Sequence, residues 1–254
     1  MIEPMLAKEV DIDGVDKYLD DSNWIMQEKR DGVRALFRIS SDVVTRYSRS
    51  GEVVQAFPLE ERVPYIHVVL DGEVIGNKIV LFDLIQPGLN ESMAERSIKL
   101  MHLYRDVDLT KALRSHTEIV KMYVSSSKRE ALFGPLMDTE GVVFKKAAAP
   151  YTQGRSDNWI KFRHRFQMYA IVGETNYRNK AQSVRLMHYD GSDAGCLGGP
   201  VNHRQKVGYI VKVEYLHLTN SNKVYGGKFR GKADHLEVNP RIMKTQKLRY
   251  QGNR

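Results

Sequence analysis

The chain has 254 residues, 42% hydrophobic and 28% charged, the balance of a soluble globular protein with one large domain or two small ones. A single cysteine, Cys196, excludes an internal disulfide and any multi-cysteine zinc site, and no apolar run approaches the roughly 18 residues of a membrane span. The net charge of +8 lies in the last third: residues 1–165 hold 24 Lys and Arg against 25 Asp and Glu, residues 166–254 hold 15 against 6, and this asymmetry favours a polyanionic partner.

Met1 to Val10 carries acidic residues and no long apolar stretch, unlike a signal peptide, so a cytoplasmic protein with no membrane partner is expected. Trp24–Met26 and Val33–Ile39 read as strands flanking the turn-prone Arg30-Asp31-Gly32, and Val43–Tyr47 as a further short strand. His67–Leu70 runs into Asp71-Gly72, and Lys78–Asp83 follows closely. Apolar residues at three- and four-residue spacing predict helices over about Ser92–Tyr104 and Ser127–Met137. Val142–Phe144 has the pattern of a short buried strand, and Pro150–Arg155 that of a loop. Beyond Arg165 the texture changes: Phe166–Glu174, Ser183–Tyr189 and Val207–Leu218 read as strands separated by Gly, Asn, Asp and Ser, a small barrel or sandwich. The expected fold class is α+β, with domains 1–165 and 166–254.

Short charged motifs punctuate the first of these domains. Glu28-Lys29-Arg30-Asp31-Gly32-Val33-Arg34 is followed by Ser48-Arg49-Ser50-Gly51, Leu70-Asp71-Gly72-Glu73 and Leu81-Phe82-Asp83. Glu140-Gly141-Val142-Val143-Phe144-Lys145 and Trp159-Ile160-Lys161-Phe162-Arg163 complete the set. Each has a plain reading alone. Lys29 beside Asp-Gly is a solvated lysine at a turn, Arg34 an exposed strand arginine, Phe82 and Trp159 core aromatics. Their order and number argue for more. A lysine serves as a nucleophile only when partly unprotonated, and its ordinary pKa is about 10.4, so a site that uses one must contain burial or neighbouring cations.

With these motifs in this order, the chain resembles the ATP-dependent DNA ligases, members of the covalent nucleotidyltransferase superfamily that includes RNA ligases and capping enzymes. The resemblance is strongest from Pro4 to Arg163 and implies a nucleotidyltransferase (ATP-grasp-like adenylation) domain followed by a small β-barrel OB-fold domain. It implies that Lys29 attacks the α-phosphate of ATP to form lysyl-AMP, with Lys145, Lys161 and a bound Mg²⁺ (Mn²⁺ as substitute) supplying positive field. It further implies nucleotide contacts from Glu28, from Arg34 and Arg49 near the phosphates or the nick, from Glu73 to the ribose hydroxyls and from Phe82 stacked on adenine. Glu140 would hold the metal, with Asp83 as a second acid. Arg155, Arg163 and Lys232 would meet phosphates or DNA along with Arg34 and Arg49. Phe229–His235 departs from the family's last motif, with Lys232, Asp234 and His235 a partial match. The implied partner is nicked duplex DNA and the implied state a monomer. RNA ligation or capping by the same chemistry, and a catalytically silent nucleic-acid-binding protein on the same scaffold, are the alternatives.

Overall fold

The computed structural model describes residues 3–40, 42–60, 63, 67–178, 181–199, 206–233 and 246–248. The chain divides into two compact units, Met1–Arg163 and His164–Arg254. No helix among the described residues is long and apolar enough to cross a membrane.

The first unit contains two sheets. Its strands are β1 (Met5–Glu9), β2 (Trp24–Glu28), β3 (Val33–Ser40), β4 (Val43–Ser48), β5 (Val53–Pro58), β6 (Val68–Ile75), β7 (Lys78–Ile85), β8 (His116–Ile119), β9 (Met122–Tyr123), β10 (Gly141–Lys146) and β11 (Gly154–Arg163). One sheet has the order β1-β11-β10-β2-β9, the other β5-β4-β3-β6-β7-β8. The helices are α1 (Asp16–Asp20), α2 (Met93–Asp106), α3 (Leu109–Ala112) and α4 (Ser127–Phe133).

Helix α2 starts where the sequence places it. Ser92 caps the Glu95 N–H, and the Glu95 side chain accepts from the Ser92 N–H, a reciprocal capping box. Its buried residues Met93, Arg96, Ser97, Leu100 and Leu103 recur at helical spacing on one face. Leu100 and Leu103 pack with Leu109 and Ala112 of α3 onto Phe37, Leu70 and Leu81, so the helices cover one face of the second sheet. Helix α4 ends at Phe133, four residues short of the predicted end, because Gly134 takes a non-helical C-cap conformation.

Strand β6 does not stop at Asp71-Gly72 but runs through to Ile75. The turn lies instead at Gly76, whose φ is +60°. Gly72 tolerates the strand interior because β7 crowds it: a Cβ there would stand 2.8 Å from the Val80 carbonyl oxygen. Strands β1, β5 and the start of β11 carry no alternating pattern of buried residues strong enough to mark them. They form by pairing with established neighbours, β1 in parallel with β11 and β5 antiparallel to β4.

A polar clamp ties the two sheets together. Asp71 is fully buried on β6 and opposite the β3 backbone. Its carboxylate accepts from Arg34 Nε at 2.9 Å, Arg34 Nη2 at 2.6 Å and the Tyr151 hydroxyl at 2.9 Å. Arg34 Nη1 donates to the Met5 carbonyl at 2.7 Å, and the Met5 N–H donates to the Tyr151 oxygen at 2.9 Å. The ring therefore runs from the second sheet (Arg34, Asp71) to β1 of the first and to the segment leading into β11.

The second unit comprises β12 (Arg165–Arg178), β13 (Ala181–Met187), β14 (Asp193–Gly199), β15 (Ile210–Tyr215), β16 (His217–Leu218), β17 (Val224–Tyr225), β18 (Lys228–Lys232) and β19 (Gln246–Leu248). Its main sheet has the order β14-β13-β12-β15-β18, with β19 also on β12, and β16 and β17 form a separate ribbon. Ala170, Val172, Val184, Leu186, Val211, Val213 and Tyr215 form its core. No pairing among the described residues joins the sheet's ends, β14 and β18, so the expected barrel closure is not among them. Strand β14, with sequence DAGCLGG, has too many glycines to be recognised by strand propensity.

Two substitutions test this arrangement. Asp71→Ala leaves the Arg34 charge buried and unpaired, and should cost about 3–5 kcal/mol in urea denaturation, part of it recovered by adding Arg34→Met. Gly141 has φ +149°, and a Cβ there would lie 2.1 Å from the Phe162 oxygen. Gly141→Ala should therefore destabilise the protein by at least about 2 kcal/mol; an unchanged midpoint would refute the packing described.

Candidate active site

The two-residue period of the first sheet sorts its side chains onto faces. On β10, Val142 and Phe144 are buried on one face while Val143 and Lys145 point to the other. Antiparallel register sets Lys145 opposite Trp159 and Val143 opposite Lys161 on β11, and Val143 opposite Gln27 on β2. Gln27, Lys29, Val143, Lys145, Trp159 and Lys161 thus line one cleft. The second sheet contributes Arg34, Glu73 and Phe82 to the same cleft, and Leu6 and Ala7 of β1 close it.

Lys29 follows β2 and is fixed at the backbone by its N–H, which donates to the Gly141 carbonyl at 2.9 Å. Its ammonium pairs with the Glu140 carboxylate. Glu140 immediately precedes Gly141, so one turn positions both the main chain and the side chain of Lys29. Both side chains keep partial exposure, 25% and 20%.

Lys145 is 1% exposed. Its amine donates to the Phe82 carbonyl at 2.9 Å and sits 4.7 Å and 4.1 Å from the ring centroids of Phe82 and Trp159. Burial lowers its pKa to about 7, outweighing the opposing pull of Asp83 and Asp71. Lys145 is therefore a weaker source of fixed positive field at neutral pH than expected. Burial also lowers the Lys161 pKa, helped by Arg163 and opposed by Glu9 at 3.8 Å. Burial raises Glu73 to about 6, against the pull of Lys29 and Arg34, which leaves it ionised at neutral pH. Glu28 rises for the same first reason and pairs with Arg30 at 3.2 Å.

Phe82 is half-buried and meets Trp159 edge-on, centroids 6.1 Å apart at 73°. Trp159, read as a core residue, is 4% exposed yet forms part of the cleft wall. Arg34 lies 5.3 Å and 5.5 Å from the same two rings. Arg34 departs from the expectation: three of its N–H donors are spent on Asp71 and Met5, so it braces the cleft wall rather than standing free for a phosphate. Arg49 and Arg155 are exposed at the cleft rim.

Asp83 corrects the sequence reading more sharply. It is fully buried, and Arg96 of α2 grips both of its oxygens at 2.8 Å and 3.0 Å while the Leu84 N–H donates to one of them. That carboxylate joins α2 to β7 and has no free edge for a metal. Glu140 remains, and among the described residues no group of three metal-binding side chains occurs. A single carboxylate fits Mg²⁺, which takes one or two together with phosphates and water.

Arg163 pairs with Glu9 at 2.6 Å and does not line the cleft. Lys232 belongs to the second unit, with its amine 4.0 Å from the Tyr209 ring centroid. Asp234 and His235 lie outside the described residues. Gln27, Arg30, Asp71 and Tyr151 were not singled out from the sequence. Asp71 was within a quoted motif, but only the clamp reveals its partner.

No family model and no curated protein matches the chain. Solved structures do. A Lig E DNA ligase superposes with a TM-score of 0.67 at 18% identity over 92% of this chain and 100% of its own. The ATP-dependent DNA ligase of bacteriophage T7, in complex with ATP, gives 0.55 at 12% over 91% and 98%. The ligase domain of LigD from M. tuberculosis gives 0.53 at 17% over 93% and 96%. The chain therefore has the fold of these DNA ligase structures.

Proposed function

We propose that the chain is an ATP-dependent ligase that seals 5′-phosphate/3′-hydroxyl nicks in duplex DNA. The observation that carries this reading is convergence: Lys29, Glu73, Phe82, Lys145 and Lys161, scattered over more than half of the chain, line one cleft. The first unit is then the adenylation domain and the second an OB-fold domain, whose charge suits a nucleic-acid backbone.

In the first step the Lys29 amine attacks the α-phosphorus. A P–N bond forms, the bond to the β-phosphate oxygen breaks, and pyrophosphate leaves. The ammonium must first lose a proton to solvent, which its partial exposure allows, while the Glu140 carboxylate holds the amine in place. Phe82 and Trp159 offer aromatic surface for the base, and Glu73 accepts hydrogen bonds from the ribose hydroxyls. Lys161 and Lys145 meet the phosphates, where positioned cations stabilise charge developing during transfer. Mg²⁺ held by Glu140 would neutralise phosphate charge. AMP then passes to the 5′-phosphate of the nick, and attack by the 3′-hydroxyl releases it.

Incubation with α-labelled ATP and Mg²⁺, followed by denaturing electrophoresis, should show covalent label that is lost in Lys29→Ala. Chasing labelled protein with nicked DNA should transfer the label and seal the strand. Folded protein that takes no label would sink the reading, and sealing of nicked RNA alone would redirect it to an RNA ligase.

Lys145 yields a second outcome. With its pKa at about 7, it is largely neutral at about pH 8, and an adjacent triphosphate would recharge it. Nucleotide binding should therefore take up a proton at that pH and weaken as pH rises. Calorimetry in buffers of different ionisation enthalpy reads the uptake, which should vanish in Lys145→Met. Equal uptake in the variant would exclude Lys145 as its source.

A further inference from the structure

A second cleft opens in the first unit, on the face of the second sheet that α2 and α3 cover. Its floor is apolar: Phe37, Phe57, Ile79 and Leu113 are each less than 9% exposed. Its rim carries Arg46, Arg114 and His116, and no acidic residue is among its lining. Three observations set it apart from an ordinary surface depression.

Arg46 lies on β4 between Phe37 of β3 and Gln55 of β5. Its Nε is buried and has no hydrogen-bond partner among the described residues. A buried donor without an acceptor is costly, more so on a charged group, and a ligand oxygen would relieve it. Arg114 is held in place: its guanidinium lies 5.2 Å from the Phe57 ring centroid and pairs with Glu60 outside the cleft. Its backbone is left-handed, φ +52°, a conformation that non-glycine residues adopt at a cost. The remaining polar rim, Gln55, Asn77 and Thr110, can hydrogen-bond but brings no negative charge.

We propose that this cleft binds a phosphate monoester carried on an apolar or planar body, with the phosphate between Arg46 and Arg114 and the body on the Phe37–Leu113 floor. Guanidinium forks match phosphate oxygens in pairs, and an apolar floor adds affinity that a bare inorganic ion cannot use. The site is distinct from the nucleotide cleft, since Arg34 and Leu36 on one side and Phe37 on the other alternate across β3. It does not depend on the ligase reading.

Phenyl phosphate is the first probe, followed in the full chain by the imidazole proton signals of His116. Saturable shifts are expected, with affinity falling about tenfold or more in Arg46→Met and in Arg114→Met, as for loss of a charge-assisted hydrogen bond. ATP-dependent labelling of Lys29, or circular dichroism where no label forms, verifies that each variant is folded. AMP and a 5′-phosphorylated oligonucleotide distinguish a free phosphate ester from a nucleic-acid end, and saturable His116 shifts with either support the site. No saturable shift with phenyl phosphate, equal affinity in both arginine variants, or equal binding of benzoate would overturn the proposal.

Discussion

The buried pair of Arg34 and Asp71 is the constraint on which the cleft depends. Two sheets packed only through apolar contacts could slide, because dispersion and burial carry little direction. A fully buried carboxylate is different. It must find its donors or lose several kcal/mol, so it specifies one relative placement of β3, β6, β1 and the Tyr151 segment. The same guanidinium lies against Phe82 and Trp159, so the clamp also fixes the aromatic wall. A buried ion pair, whose desolvation offsets much of its attraction, thereby supplies geometry that hydrophobic packing cannot.

Much of this was legible in the sequence, for identifiable reasons. Helix α2 announced itself through Ser92, Glu95 and a clean apolar face. Strands β3 and β7 did so through dense β-branched and aromatic residues. The residues later found around the cleft stood in short motifs whose order carried the resemblance. What escaped was decided at long range. Asp83 looks like an acid beside an aromatic, and nothing local reveals that Arg96, thirteen residues on, will take both its oxygens. Strands β1 and β5 have little pattern of their own and are made by their partners. The strand read over His67–Leu70 continues through Asp71-Gly72, held extended by tertiary pairing with Arg34 and close approach to β7.

Burial differs sharply between two lysines of the cleft. Lys29 and Glu140 keep partial access to solvent, while Lys145 lines the cleft almost wholly buried against two rings. The first arrangement suits a group that must move and react. The second is a lysine whose burial already lowers its pKa to about 7. The same residue type is thus held partly in water at one position and buried at the other.

The enclosure of Lys145 also limits what can replace it over evolutionary time. Arginine is the usual conservative exchange for lysine, but a guanidinium cannot shed its proton within a protein. At a position 1% exposed and hydrogen-bonded to a backbone carbonyl, an arginine would be a permanent buried cation whenever the cleft is empty. It would also need space that the Phe82 and Trp159 rings occupy. Related sequences that keep this wall should therefore hold lysine at position 145 more strictly than at the solvent-exposed cationic positions of the rim, where Arg49 and Arg155 face no such restriction.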